Sequence, residues 1–252
     1  MMAAETLTSH DPTAVPDRIP TIGMIVPPAP DVVPPEPLQL YPEGVRFVAR
    51  GLGLTSLTPD GYDQVIDRIA TASAELAEEG ADAIALMGTS ISFYRGPAFN
   101  AELVASMEKA SGLPATTMSN AVVEALGQLG ARRLTVATAY GDEVNDRLAA
   151  FLREVGFEVL ALESLGIVDV DAVFGVTTDD LLALGRRAAA AAPDADAMFL
   201  SCGGLRTLAV TEPLERATGM PVVSSAVAGA WAAVRLAGHD AAVRGYGRFL
   251  EG

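Results

Sequence analysis

ADAIALMGTS, residues 81–90, has a counterpart in ADAMFLSCGG, residues 195–204. Each copy opens on Ala-Asp-Ala, continues as a short apolar run and stops at small or hydroxyl residues, the pattern of a strand buried on both faces. A second pair follows in the same order: SGLPATTMSNAVVEAL (111–126) and TGMPVVSSAVAGAWAA (218–233). Two matches at nearly the same offset make an internal repeat.

Strands and helices alternate outward from these segments. In the first series, TIGMIVP and a weaker FVARGLGL read as strands. One amphipathic helix follows over DGYDQVIDRIATASAELAEEG (60–80), then the strand in DAIALMGTS, a helix from about Pro97 to Ala110, and the strand LPATTMS. The second series has strands RRLTVATAY, FEVLALESL, DAMFLSCGG and MPVVSS. Its helices are DEVNDRLAAFLREVG, about Thr178 to Ala192, Leu208 to Thr218, and AVAGAWAAVRLAG. Strands separated by helices of this length predict parallel sheets with helical crossovers. The expected fold is α/β: two pseudo-symmetric halves, each with a roughly four-stranded parallel sheet flanked by helices. Residues 21–120 form the first half, completed by a C-terminal helix over 225–252, and residues 121–224 form the second. Ligand is expected in the cleft between them, outside the strands' C-terminal ends.

Composition narrows the chemistry. The 252 residues suffice for one large domain or two small ones, and hydrophobic residues make up 50% of the chain without any run long enough to span a bilayer. Residues 1–20 lack the basic start and apolar middle of a signal peptide, so they read as a disordered leader on a cytoplasmic protein. A net charge of −15 repels phosphate backbones and anionic lipid, excluding nucleic acid and membrane surface as partners. It also repels carboxylates, so an acidic ligand must be held by short-range donors such as hydroxyls and backbone N–H groups. Histidine occurs only at positions 10 and 239, and Lys109, the sole lysine, lies in an amphipathic helical run. A histidine triad, a metal cluster and a lysine Schiff base are therefore not expected. The glycines of Gly51-Leu52-Gly53-Leu54 do not form a dinucleotide fingerprint. Neither a cofactor nor a metal is expected.

Cys202 is the only cysteine. Such a residue is ordinarily a small buried hydrophobe, but a strand end, two following glycines and the lack of any other proton carrier favour a proton-transfer role. The repeat places Gly88 at the equivalent position, so only one half carries a thiol. Thr89 and Ser90 follow Gly88 and suit either carboxylate binding or helix capping. Tyr140 ends its strand, as an oxyanion donor or a packed rim residue. Arg95 reads as a structural or surface pair. PPAPDVVPPEP (27–37) reads as a rigid loop over the cleft or as a linker.

Taken together, GMIVPP, LYP, RGLGLTSLTPDGYD, LMGTSISFYRG, ATAYGDEVNDRLAAFL, LSCGG and GMPVVSS resemble the arylmalonate decarboxylase family, within the aspartate/glutamate racemase superfamily. The resemblance covers nearly all of the chain after the leader. It implies cofactor-independent, enantioselective decarboxylation of α-aryl-α-alkylmalonates, a small-molecule dicarboxylate substrate class; separately, a monomer is the expected state. It implies Cys202 as proton donor and a dioxyanion hole of Thr89, Ser90, Tyr140 and the backbone N–H groups of Cys202 and Gly203. It further implies a hydrophobic pocket of Pro27, Leu54, Leu57, Val170 and Val173, with Val173 standing where the family has methionine. Two-base racemases of the superfamily use a cysteine from each half, and Gly88 removes one of them here. A racemase or cis-trans isomerase, and a non-catalytic carboxylate-binding protein, are the competing readings.

Overall fold

The computed structural model describes residues 18–251, and each half of the repeat builds its own four-stranded parallel sheet. The first half runs β1 (Thr21–Val26), α1 (Pro35–Leu40), β2 (Arg46–Gly51), α2 (Pro59–Val65), α3 (Arg68–Glu78), β3 (Ala83–Leu86), α4 (Thr89–Phe93), α5 (Gly96–Ser111), β4 (Ala115–Thr117) and α6 (Met118–Gln128). The second runs β5 (Arg133–Tyr140), α7 (Asp142–Glu154), β6 (Glu158–Ile167), α8 (Val170–Val173), α9 (Thr178–Ala191), β7 (Ala197–Ser201), α10 (Leu208–Thr218), β8 (Val222–Ser224) and α11 (Ser225–Leu236), followed by a 3₁₀ turn over Arg248–Glu251. The sheets share one permuted order, β2-β1-β3-β4 and β6-β5-β7-β8.

The central strands β1, β3 and β7 are buried along their whole length. Their continuous apolar runs follow from helices covering both faces of a parallel sheet. The repeat extends to the caps: β4 and β8 are three residues each and pass directly into helices. Thr117 Oγ1 accepts from Asn120 N–H and Ser224 Oγ from Val227 N–H. Helix α11 is buried on every side from Ser225 to Val234, as expected of a helix apolar all round. It packs against α6, β3 and β4, and one apolar cluster joins both halves.

Several element boundaries differ from the sequence reading. The helix expected over 60–80 is two helices, broken at Ile66–Asp67. Tyr62 on the first packs edge-on against Tyr94, 5.1 Å between ring centres, while the second covers the sheet. The weak strand FVARGLGL leaves the sheet at Gly51, and LPATTMS yields only Ala115–Thr117 because Thr117 caps a helix starting at Met118. The division at 120/121 falls inside α6, and the C-terminal helix stops at Leu236 instead of continuing to 252. Residues 1–17 of the leader, including His10, lie outside the described residues. Among the described residues no helix is long and apolar enough to cross a membrane.

Candidate active site

The C-terminal ends of β1 and β3 in one sheet and of β5 and β7 in the other meet at a cavity of about 370 Å³. Val26 and Pro27, Met87 and Gly88, Tyr140, and Cys202 are the residues that these strand ends contribute. Every site residue named from the sequence lines this cavity: the expected donors Thr89, Ser90, Tyr140, Cys202 and Gly203, the apolar residues Pro27, Leu54, Leu57, Val170 and Val173, and Gly88 from the half that lacks the thiol. The apolar wall is assembled from both halves. Leu57 N–H donates to Val168 carbonyl at 2.7 Å and Val170 N–H to Thr55 carbonyl at 3.2 Å, beside an antiparallel bridge between Ser56 and Asp169. The segments that carry Leu54 and Leu57 are thereby held to those that carry Val170 and Val173.

Cys202 is buried and has a φ of 149°, the only positive φ at a non-glycine position among the described residues. Such a conformation costs about 1–3 kcal/mol and persists only where its surroundings hold it. No helix starts at the thiol itself. β7 ends at Ser201 and α10 begins only at Leu208, so the residues from Cys202 to Thr207 form a turn. Burial then dominates the thiol's titration and pushes its pKa up, although the amides of Gly204 and Leu205 and the Tyr140 hydroxyl favour the thiolate. A thiol with a raised pKa is protonated at neutral pH. Gly203 next to it permits close approach: a Cβ there would fall 2.8 Å from Met118 Sδ and 3.0 Å from Met87 carbonyl oxygen.

The neighbouring donors are held in place but weakly engaged. Thr89 Oγ1 donates to Met118 Sδ at 3.3 Å, and thioether sulfur is a weak acceptor. Tyr140 Oη accepts from Ser201 Oγ at 3.4 Å and keeps its own proton, which burial holds well above the usual phenol range. Among the described residues the Gly203 N–H has no acceptor. The Cys202 N–H is different, since it donates to Ser225 Oγ at 3.3 Å, and a bound oxygen would have to replace that contact. The first turn of α4 is fixed from below, where the Thr89 carbonyl accepts from Ser92 Oγ at 2.8 Å and from Ser119 Oγ at 3.3 Å.

A family profile described as arylmalonate decarboxylase matches residues 22–250. The chain belongs to the arylmalonate decarboxylase family. The arylmalonate decarboxylase of Bordetella bronchiseptica is 54% identical over 233 residues, covering 92% of this chain and 97% of that one. A solved structure of an arylmalonate decarboxylase variant in liganded form, with one glycine changed to cysteine and one cysteine to serine, has a TM-score of 0.90 at 53% identity. It covers 92% of this chain and 99% of its own. The two altered positions in that variant are as many residues apart as Gly88 and Cys202. The maleate isomerase of Nocardia farcinica is 31% identical over 134 residues, 53% of each chain. Kinship with the arylmalonate decarboxylase family makes this protein an enzyme of the decarboxylase class.

Sequence reasoning in arylmalonate decarboxylase terms missed four contributors to the site. Tyr62 is fully buried, and its hydroxyl lies near Ser90 without a hydrogen bond of good geometry. Met118 and Ser225 were hidden because they are ordinary helix residues in sequence and reach the site only through the packing of α6 and α11. Glu36 lines the cavity from the proline-rich segment, which is therefore a wall of the site. Arg95 is a structural pair: it bonds Asp63 at 2.7 Å and stacks over Tyr94 and Phe99.

Proposed function

We propose that this enzyme decarboxylates α-aryl-α-alkylmalonates to α-arylcarboxylates without a cofactor, and that Cys202 protonates the intermediate on one face. The observation that carries the proposal is the difference between equivalent strand ends: a buried thiol after β7 and a glycine after β3, both lining one cavity. In this reading one carboxylate of the substrate accepts hydrogen bonds from Thr89, Ser90, Tyr140 and the N–H groups of Gly203 and Cys202, the last exchanging Ser225 for substrate. The other lies against Pro27, Leu54, Leu57, Val170 and Val173. An apolar wall disfavours an ionised carboxylate and favours neutral CO₂. As the bond to CO₂ breaks, its electron pair moves into an enediolate, whose two oxygens the donors stabilise. The Sγ proton of Cys202 then passes to the α-carbon, and solvent returns a proton to the thiolate. One thiol on one face yields one enantiomer.

Incubation with phenylmalonate and α-methyl-α-phenylmalonate tests the reading. CO₂ release is expected from both, with the second giving a single enantiomer of product. Saturable binding without CO₂ release would identify a carboxylate-binding protein instead. A second reading, a cis-trans isomerase or racemase, draws support from the maleate isomerase relatives. Gly88 weighs against it, since no second thiol exists in the chain. Conversion of maleate to fumarate, or racemisation of a single α-arylpropionate enantiomer, would favour it.

A further inference from the structure

Six of the eleven residues from Pro27 to Pro37 are proline, which makes this wall of the cavity a stiff strap. One end is pinned within the first half: Leu54 N–H donates to Pro27 carbonyl at 2.8 Å, and Asp31 Oδ1 accepts from Gly51 N–H at 2.7 Å. The other end carries Glu36, only 5% exposed, whose hydrogen-bond partners all belong to the second half. Its Oε1 accepts from the Thr207 N–H and, at 2.9 Å, from the Leu208 N–H, and Thr207 Oγ1 lies 3.2 Å from Oε2. These donors close the turn that begins at Cys202. Thr207 Oγ1 also lies 2.7 Å from Ser224 Oγ, a hydroxyl that can donate to it, and the next residue, Ser225, accepts the Cys202 N–H.

Burying a carboxylate in an acidic protein is costly. Capping α10 does not by itself require it, because a local side chain at the N-cap would serve, and Thr207 makes no such cap. What a residue from the strap adds is a tie between two segments that belong to different halves. We infer that Glu36 is a positioning residue: its carboxylate clasps the proline-rich strap to the turn bearing Cys202, so that closure of the cavity and placement of the thiol are set together. The inference concerns the site of the proposed decarboxylation, and its first test does not depend on that reaction.

Because Cys202 is the only cysteine, alkylation by iodoacetamide reports its accessibility without ambiguity. Labelling is measured on folded protein, well below the denaturation midpoint of each variant. Glu36→Ala frees the strap, and labelling is expected about 10-fold faster than in the wild type. Glu36→Gln keeps an acceptor for both amides and is expected to label within about twofold of the wild-type rate. With an arylmalonate substrate, Glu36→Ala is expected to lower kcat/KM about 10-fold and reduce the enantiomeric excess, and Glu36→Gln to restore both. Wild-type labelling in Glu36→Ala, or equally fast labelling in Glu36→Gln and Glu36→Ala, would overturn the clasp. An enzyme inactive toward arylmalonates would overturn the proposed reaction and leave the labelling result to judge Glu36. If Glu36→Ala does not fold, Glu36→Asp takes its place, with labelling about threefold faster expected from the shortened reach and an unchanged rate overturning the clasp.

Discussion

The ends of β3 and β7 occupy equivalent places in the two sheets and are built in opposite ways. After β3 the chain passes through Gly88 at φ −130° and ψ 94°, a conformation open to any residue, and enters α4 at once. After β7, Cys202 adopts a φ of 149° in the region that favours glycine, and a turn intervenes before α10. Glycine thus stands where the backbone does not ask for it, and cysteine where the backbone would prefer glycine. Backbone preference explains neither residue. Both line the shared cavity, so of these two strand ends only the one after β7 puts a side chain into it.

Four substitutions break or sharpen this contrast. Cys202→Ala removes the proposed donor, and kcat for CO₂ release with retained enantioselectivity is expected to fall about 10³-fold, with circular dichroism unchanged; wild-type turnover and selectivity would end the assignment. The same donor sets the pH response. Burial raises the thiol's pKa, so the active protonated form persists below it and is lost as pH rises through it. Activity should hold beyond the ordinary cysteine value of about 8.5, and thiolate absorbance already present at neutral pH would contradict this.

Tyr140→Phe tests the donors beside the thiol. Loss of one oxyanion donor should cost about 10²-fold in kcat, measured with the same substrate, and full activity would remove Tyr140 from the proposed hole. Gly88→Cys makes the strand ends alike in chemistry. Its Cβ would lie 3.1 Å from Ile91 Cδ1 and 3.2 Å from Pro27 Cγ, contacts with side-chain ends that can shift by tenths of an ångström. Chiral chromatography should show eroded enantiopurity, whereas unchanged purity in an active variant would contradict protonation from two faces. The smallest effect is on stability. Cys202→Gly should be about 1 kcal/mol more stable than Cys202→Ala, since glycine relieves the positive φ, as read from denaturant midpoints.

Much of the fold was legible because it rests on local pattern. The buried strands Thr21–Val26, Ala83–Leu86 and Ala197–Ser201 show as uninterrupted apolar runs, and α10 matches its expected bounds. The split of the 60–80 helix was not legible, because Ile66 and Asp67 continue the amphipathic period and the break follows from how Tyr62 and α3 pack. Among site residues, the repeat made the pairing of Gly88 with Cys202 visible. Ser225 and Met118 gave no comparable signal, since a capping-region serine and a helical methionine are common at such places.

By itself, the sequence determined two α/β halves, a lone thiol facing a bare glycine, and an acidic surface that leaves carboxylate binding to neutral donors. These follow from composition, periodicity and self-similarity, which are properties of residues in order. The tertiary structure alone decided that Cys202 adopts a strained backbone conformation, that burial raises the pKa of its thiol, and that Glu36 reaches Thr207 across the cleft. Protonation depends on which groups surround an atom once water is excluded. Here the amides of Gly204 and Leu205 are local, but Tyr140 and the residues that bury the thiol come from segments far apart in sequence, and only packing brings them together.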